Sequence, residues 1–142
     1  MNRLALLVVV LLCASRSAIS GEASPCWGAG NTIEEGTCFS AELKKANAEL
    51  NSTYQGLIRL VRNHGEEWVE DLRKAQRKWV EFRDLNCEFY GNYLKGGSGA
   101  GLHYIDCTAR MTKERQAELR IKYDEMKRRG YEEKKLSGRG DR

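Results

Sequence analysis

The segment AQRKWVEFRDLNC, residues 75–87, gathers the side chains whose types and spacing most suggest a site. On a helix, five apolar residues in and beside it are expected to face the core: Leu72, Ala75, Trp79, Phe82 and Phe89. Gln76 and Arg83 border that face. An arginine there can lay its methylenes on Trp79 and direct its guanidinium to carboxylates or carbonyls of a neighbouring helix. The segment therefore predicts a polar brace between helices; the alternative is a partner-binding patch built from Arg83 and the exposed flank of the aromatics.

Catalytic chemistry has few candidate residues in this chain. The only histidines are His64, at a predicted helix stop, and His103, at the end of a glycine-rich loop. A nucleophile and its base would have to be assembled around one of them. The carboxylates lie at spacings typical of solvated helix faces. We therefore expect no catalytic residues, no cofactor and no enzyme activity, and an enzyme stays an alternative only because His103 borders the loop.

Four cysteines follow the N-terminal segment: Cys26, Cys38, Cys87 and Cys107. An even number in an exported chain indicates two disulfides. Spacing alone leaves three pairings open, and the local pairs, Cys26 with Cys38 and Cys87 with Cys107, agree best with the helix layout. Zinc is the competing interpretation, since His103 lies shortly before Cys107. No paired C-x-x-C knuckle is present, so we expect no metal site.

Residues 1–20 have the pattern of a signal peptide. Arg3 gives a positive start, an apolar run from Leu4 to Ala14 is too short to span a bilayer, and small residues follow. Cleavage is expected before Gly21, with a cut after Ala23 as the alternative. Cys13 raises a lipoprotein alternative, although two leucines precede it. The sequence predicts an exported periplasmic or secreted protein without stable membrane insertion.

The charge pattern argues against a nucleic-acid partner. The whole chain carries 24 basic and 20 acidic residues, but residues 127–142 alone hold seven basic and three acidic groups. Without residues 1–20, which contain Arg3 and Arg16, residues 21–126 keep 15 basic and 17 acidic groups, a net charge of −2. Both signs are closely mixed there, whereas a nucleic-acid surface gathers basic residues on one face.

Three segments repeat an apolar residue every three or four positions, which predicts three amphipathic helices. The first stripe runs from Phe39 to Val61. The second runs from about Glu66 to Tyr93 and includes Trp68 besides the apolar residues named above. The third starts near Tyr104 and reaches Met126. Strand-like alternation is absent, so the predicted fold is all-α: a disulfide-braced bundle of three antiparallel helices.

The segments between and around the helices complete the predicted domain, residues 21–126. Asn63, His64 and Gly65 form a tight stop that favours an antiparallel hairpin. The glycine-rich loop 94–103 turns sharply and offers a candidate contact surface at Gly96, Gly97 and Ser98. Residues 24–37 are predicted to form an irregular N-terminal cap. Residues 127–142 are predicted to be a basic, disordered tail.

The segment LRKAQRKWVEFRDLNC, residues 72–87, resembles the signature of the LprI-like lysozyme inhibitor domain, a family of small exported bacterial proteins. The family pattern reads roughly LR-x-AQ-x-x-W-x-x-[FY]RD-x-x-C. The resemblance covers nearly everything from Cys26 to about Leu119. Further matching positions lie in the first helix, the loop and the third helix: Cys38, Leu43, Ala46, Leu50, Asn51, Tyr54, Gly96, Gly97, Ser98, Cys107, Thr112, Arg115 and Leu119.

The resemblance implies a helical fold with disulfides and a protein partner, for which a lysozyme is the first candidate. It identifies no inhibitory contact, and it implies that the motif residues belong to the fold: Leu72, Arg73, Ala75, Gln76, Trp79, Phe82, Arg83 and Asp84. The alternative is an envelope module that binds peptidoglycan or assists another exported protein. The sequence leaves the oligomeric state open.

Overall fold

The computed structural model describes residues 24–93, 97 and 99–137. Helix α1 spans Thr32–Val61, a short 3-10 turn spans Arg62–His64, α2 spans Glu66–Tyr93 and α3 spans Ala100–Ser137. These residues contain three helices and no strand, so the all-α prediction is confirmed. The predicted signal peptide, residues 1–20, lies outside the described residues, as do Gly96, Ser98 and 138–142 of the predicted tail.

Helix α1 begins earlier than the sequence interpretation placed it. Asn31 is the N-cap: its side chain accepts hydrogen bonds from the amides of Ile33 and Glu34, and the Glu34 carboxylate accepts one from the Asn31 amide. This capping box satisfies amides that the first turn leaves without helical partners. The prediction of an irregular cap over 24–37 was therefore wrong for residues 32–37, and the irregular part is 24–31.

The helix directions follow from the connections. After Val61 the 3-10 turn ends at Gly65, whose φ of 135° lies in the region that favours glycine, and the chain reverses into α2. A second reversal before Ala100 makes α3 antiparallel to α2 and parallel to α1. The contacts agree with this arrangement: Lys113 of α3 meets Glu42 of α1, and further along both helices Gln116 meets Thr53.

Two apolar clusters hold the helices together. The larger one lies toward the α1–α2 turn and contains Leu50, Leu57, Ile58, Val61, Val69 and Leu119. The smaller one contains Cys26, Phe39 and Leu102, and Trp27 packs on it. Helix α1 contacts α3 along most of its length, whereas it contacts α2 only slightly. Helix α2 is therefore held mainly by one neighbour, α3.

The structure forms both local disulfides, Cys26–Cys38 and Cys87–Cys107. The first one folds the irregular cap onto the start of α1. The second joins the last two turns of α2 to α3 across 20 residues. Cys87 and Val69 are the only buried residues of α2, so this disulfide is a principal anchor for the C-terminal half of that helix.

Helix α3 is longer at both ends than the sequence indicated. It begins at Ala100 and not near Tyr104, so residues 100–103 of the predicted loop are helical. At its other end it continues to Ser137, beyond the Met126 boundary of the predicted tail. Within the described part of the chain, no helix is long and apolar enough to span a membrane.

Candidate functional site

The motif of α2 forms a polar layer against α3. The guanidinium of Arg83 lies over the Trp79 ring, with its carbon 5.1 Å from the ring centroid. Its Nη1 donates to the hydroxyl of Thr112 at 3.2 Å, and its Nε donates to Asp84 at 2.8 Å. Thr112 is fully buried and donates in turn to the carbonyl of Thr108. Arg83 is 13% exposed, so its guanidinium makes its polar contacts largely within the protein.

A second arginine approaches the same tryptophan from α3. The guanidinium carbon of Arg115 lies 5.8 Å from the Trp79 centroid, and its Nε donates to Gln76 at 3.2 Å. Arg115 also forms an ion pair with Glu118 at 2.6 Å and is 11% exposed. Gln76, Trp79 and Arg83 are thus brought together with Arg115 in one interhelical layer, which orients α2 on α3.

Glu118 continues the layer along α3. It accepts hydrogen bonds from Lys122 at 2.7 Å and from Arg115 at 2.6 Å. The hydrogen bond from Lys122 contributes most to lowering the pKa of this carboxyl below its ordinary value. Burial, the next largest effect, raises the pKa, and the hydrogen bond and charge of Arg115 lower it further. The carboxylate is therefore held in its charged form.

Three other motif residues, Leu72, Arg73 and Ala75, lie outside this polar layer. Leu72 packs against the larger apolar cluster, and Ala75 lines a groove beside it. Arg73 forms ion pairs with Glu66 and Glu70 on its own helix. Leu72 thus belongs to the packing of the bundle, and Arg73 lies on its surface. Ala75 is exposed, so the prediction that it faces the core was wrong.

Phe82 does not face the core, and neither does Phe89; both predictions were wrong. The exposed fractions are 58% for Phe82, 62% for Leu85, 66% for Phe89 and 79% for Tyr93. Successive helical residues point about 100° apart, so when Arg83 faces α3 its neighbour Phe82 faces away. We call Phe82, Leu85, Phe89 and Tyr93 the aromatic face of α2. Their spacing of three, four and four residues places them along one side of the helix.

The aromatic face ends beside the glycine-rich connection. A Cβ atom added at Gly91 of α2 would lie 3.3 Å from the carbonyl oxygen of Ala100, so the ends of α2 and α3 approach closely. Gly97 is exposed, and its carbonyl accepts a hydrogen bond from the amide of Ala100 at 3.2 Å. Of the three candidate contact residues, Gly97 thus lies at the same end of the molecule as Tyr93, and Gly96 and Ser98 lie outside the described residues.

A groove lies at the opposite end, near the α1–α2 turn. Its volume is about 640 Å³, and Leu57, Val61, Leu72 and Met126 contribute to its apolar lining. Trp68 borders it and is also exposed, contrary to the predicted stripe. Asp71, Lys122, Glu125 and Arg129 line it as well, so charges of both signs surround the apolar part.

The two histidines lie at opposite ends of the bundle. The His103 ring packs against Trp27 with centroids 4.5 Å apart, and the His64 ring lies 5.8 Å from that of Trp68. The structure therefore does not bring them together into one site. Among the described residues, no group of three or more histidine, cysteine, aspartate or glutamate side chains is arranged to hold a metal ion.

The sequence interpretation missed the exposure of the aromatic face. A signal was present, because residues 79–93 contain more large apolar side chains than one helix stripe requires. Apolar residues on both sides of Arg83 indicate two apolar sectors, of which only one can face α3. The exposed sector is the candidate contact surface.

The architecture is that of a small, helical, disulfide-braced domain. Residues 26–119 match the family model described as lysozyme inhibitor LprI. An "Uncharacterized protein R02472" of Rhizobium meliloti (strain 1021) is 31% identical over 122 residues, covering 78% of this chain and 88% of the relative. No solved structure matches. The chain belongs to the LprI lysozyme inhibitor family, which confirms the resemblance drawn from residues 72–87.

Family membership and structure together give a coarse functional assignment. The family suggests a lysozyme-inhibitor-like role and implies a protein partner. The family and the two disulfides are consistent with an exported protein.

Proposed function

We propose that this protein is exported and blocks a lysozyme by direct protein–protein contact, without catalysing a reaction. The observation that carries the proposal is the aromatic face of α2. Four large apolar side chains, each more than half exposed, lie in line on one rigid helix. Aromatic residues dominate the energetic centres of protein interfaces, and contiguous exposed apolar surface marks interaction sites.

The structure also supports a rigid presentation of this face. The C-terminal half of α2 is tied to α3 by the Cys87–Cys107 disulfide and by the hydrogen bond from Arg83 to Thr112. A surface that is ordered before binding loses less conformational entropy when the partner docks. The polar layer thus serves the proposed function indirectly, because it keeps the aromatic face in position.

The proposal is tested by titrating the purified protein against several lysozyme types and following hydrolysis of bacterial cell walls. We expect the rate of at least one lysozyme to fall to near zero as the protein approaches molar excess. The oxidised protein is required, since reduction removes the anchor of α2. Unchanged rates for every lysozyme type at large excess would contradict the proposed function.

A further inference from the structure

Two glutamates form a row beside the aromatic face. Glu81 precedes Phe82 and Glu88 precedes Phe89, so the two acidic residues are seven positions apart, as the two phenylalanines are. Seven residues are close to two helical turns, which places the glutamates on one side of α2 about 10 Å apart. Leu85 follows Glu81 by four residues and lies between the rows. We call Glu81 and Glu88 the acidic row.

Among the described residues, the acidic row has one exposed basic partner, Lys78, which pairs with Glu81. Between Trp79 and Tyr93 the only basic residue is Arg83, which is largely buried and paired with Asp84. Glu88 is exposed, and no ion pair to it occurs among the described residues. Glu81 pairs with Lys78 at 2.7 Å, but both side chains are more than half exposed, and such surface pairs contribute little and exchange readily. Glu88 is therefore directly available to a partner, and Glu81 becomes available when its exposed pair with Lys78 opens.

We propose that the aromatic face and the acidic row together form a docking surface for a cationic protein. The partner surface would present an apolar contact for Phe82 and Phe89 and, beside it, two lysine or arginine side chains about 10 Å apart. This inference rests on the proposed function, in which the partner is a lysozyme. Animal-type lysozymes are strongly cationic. It adds the chemistry by which the partner is recognised and the side of α2 on which its charges lie.

A second copy of this chain fits the surface less well. Two copies joined through their aromatic faces would bring four carboxylates of the acidic rows to one interface, with only Lys78 of each copy paired to them. Like charges opposed across an interface weaken association. The charge pattern therefore favours a cationic partner over self-association.

The test measures the affinity of the purified, oxidised protein for hen egg-white lysozyme by calorimetry at several salt concentrations. The charge-reversal variant Glu81→Lys/Glu88→Lys is compared with Glu49→Lys/Asp71→Lys, which changes the net charge equally. Glu49 and Asp71 are exposed, and no ion pair to either occurs among the described residues. Circular dichroism checks that both variants stay helical.

We expect the Glu81→Lys/Glu88→Lys variant to bind at least about tenfold more weakly, the control to stay within about twofold, and wild-type affinity to fall steeply with added salt. Equal affinity of wild type and the acidic-row variant would overturn the inference. So would a wild-type dimer in light scattering that Phe82→Ala/Phe89→Ala dissociates, because the surface would then be occupied by a second copy.

Inhibition is measured alongside binding, so the two proposals can fail separately. Binding that depends on the acidic row while the lysozyme rate is unchanged would contradict the proposed function and keep the docking inference. Inhibition that survives in the acidic-row variant and disappears in Phe82→Ala/Phe89→Ala would keep the proposed function and contradict the inference. A wild-type protein that binds no lysozyme would contradict both.

Discussion

At the scale of single residues, Arg83 joins α2 to α3 through its flat guanidinium. It lies over Trp79, donates to buried Thr112 and pairs with Asp84. A guanidinium can make these contacts together because it is planar and carries several fixed donors, whereas a lysine ammonium cannot. Arg83 also covers Trp79, which would otherwise expose more of its ring beside the aromatic face.

Replacing Arg83 should therefore destabilise the fold. We expect Arg83→Met to lower the free energy of unfolding by about 1–3 kcal/mol, because Thr112 and Asp84 lose a charged hydrogen-bond partner. Arg83→Lys keeps the charge but not the planar contact, so its free energy of unfolding should lie between those of Arg83→Met and the wild type. Urea denaturation followed by circular dichroism measures the difference. A midpoint for Arg83→Met equal to that of the wild type would show that the polar layer contributes nothing to stability.

Glu118 should make the stability that the polar layer contributes depend on pH. Its folded-state pKa is lowered, first by the hydrogen bond from Lys122 and also by Arg115, so the folded protein favours the ionised form. This stabilisation is fully present above the unfolded-state carboxyl pKa and is lost as the pH falls through the lower folded-state value. We expect the free energy of unfolding of Glu118→Gln to decline less than that of the wild type between about pH 5 and pH 3. Parallel declines, measured by denaturation at each pH, would contradict this role.

At the scale of elements, the two halves of α2 are held differently. The N-terminal half places Val69 and Leu72 against the larger apolar cluster, whereas the C-terminal half buries only Cys87. Apolar burial anchors the first half, and the disulfide with the polar layer anchors the second. The half that carries the aromatic face therefore has the least packing of its own.

Removal of the Cys87–Cys107 disulfide should loosen the C-terminal half of α2 more than its N-terminal half. In the chain-entropy model, closing a loop of this length is worth about 3 kcal/mol, so we expect Cys87→Ser/Cys107→Ser to lose about that much stability. Amide hydrogen exchange should increase most in residues 80–93 and less in residues 66–76. Removal of Cys26–Cys38 provides the comparison, since it should leave exchange in α2 unchanged. A uniform increase along α2 in the Cys87→Ser/Cys107→Ser variant would contradict the separate anchoring of its halves.

The helices and their order could be predicted from the sequence, because the apolar spacing and the stop at Gly65 are local signals. The start of α1 at Thr32 is also encoded locally, in the capping box of Asn31 and Glu34, but Pro25 and the glycines of residues 24–37 favour an irregular cap. The exposure of Phe82 and Phe89 could not be predicted from such local signals. Which of two apolar sectors is buried depends on where α3 lies, and spacing along α2 alone does not specify that.

At the scale of the whole molecule, the parallel pair of α1 and α3 forms the scaffold, and α2 lies mainly on α3. The irregular cap and its disulfide close one end of the scaffold, and the α1–α2 turn closes the other. The aromatic face lies on the outer side of α2, at the end that also carries Gly97 and the first turns of α3. The motif in residues 72–87 is typical of the family, yet it lies mostly in the interhelical layer, whereas the proposed contact surface is distinguished by its exposure.

The most direct test of the central claim is lysozyme inhibition by the wild type, by Phe82→Ala/Phe89→Ala and by Ile121→Ala, a control that shortens an exposed apolar side chain on α3. If the aromatic face is the contact surface, the double variant should need at least about 30-fold more protein for half-inhibition, whereas the control should match the wild type. Equal inhibition by all three proteins would contradict the account.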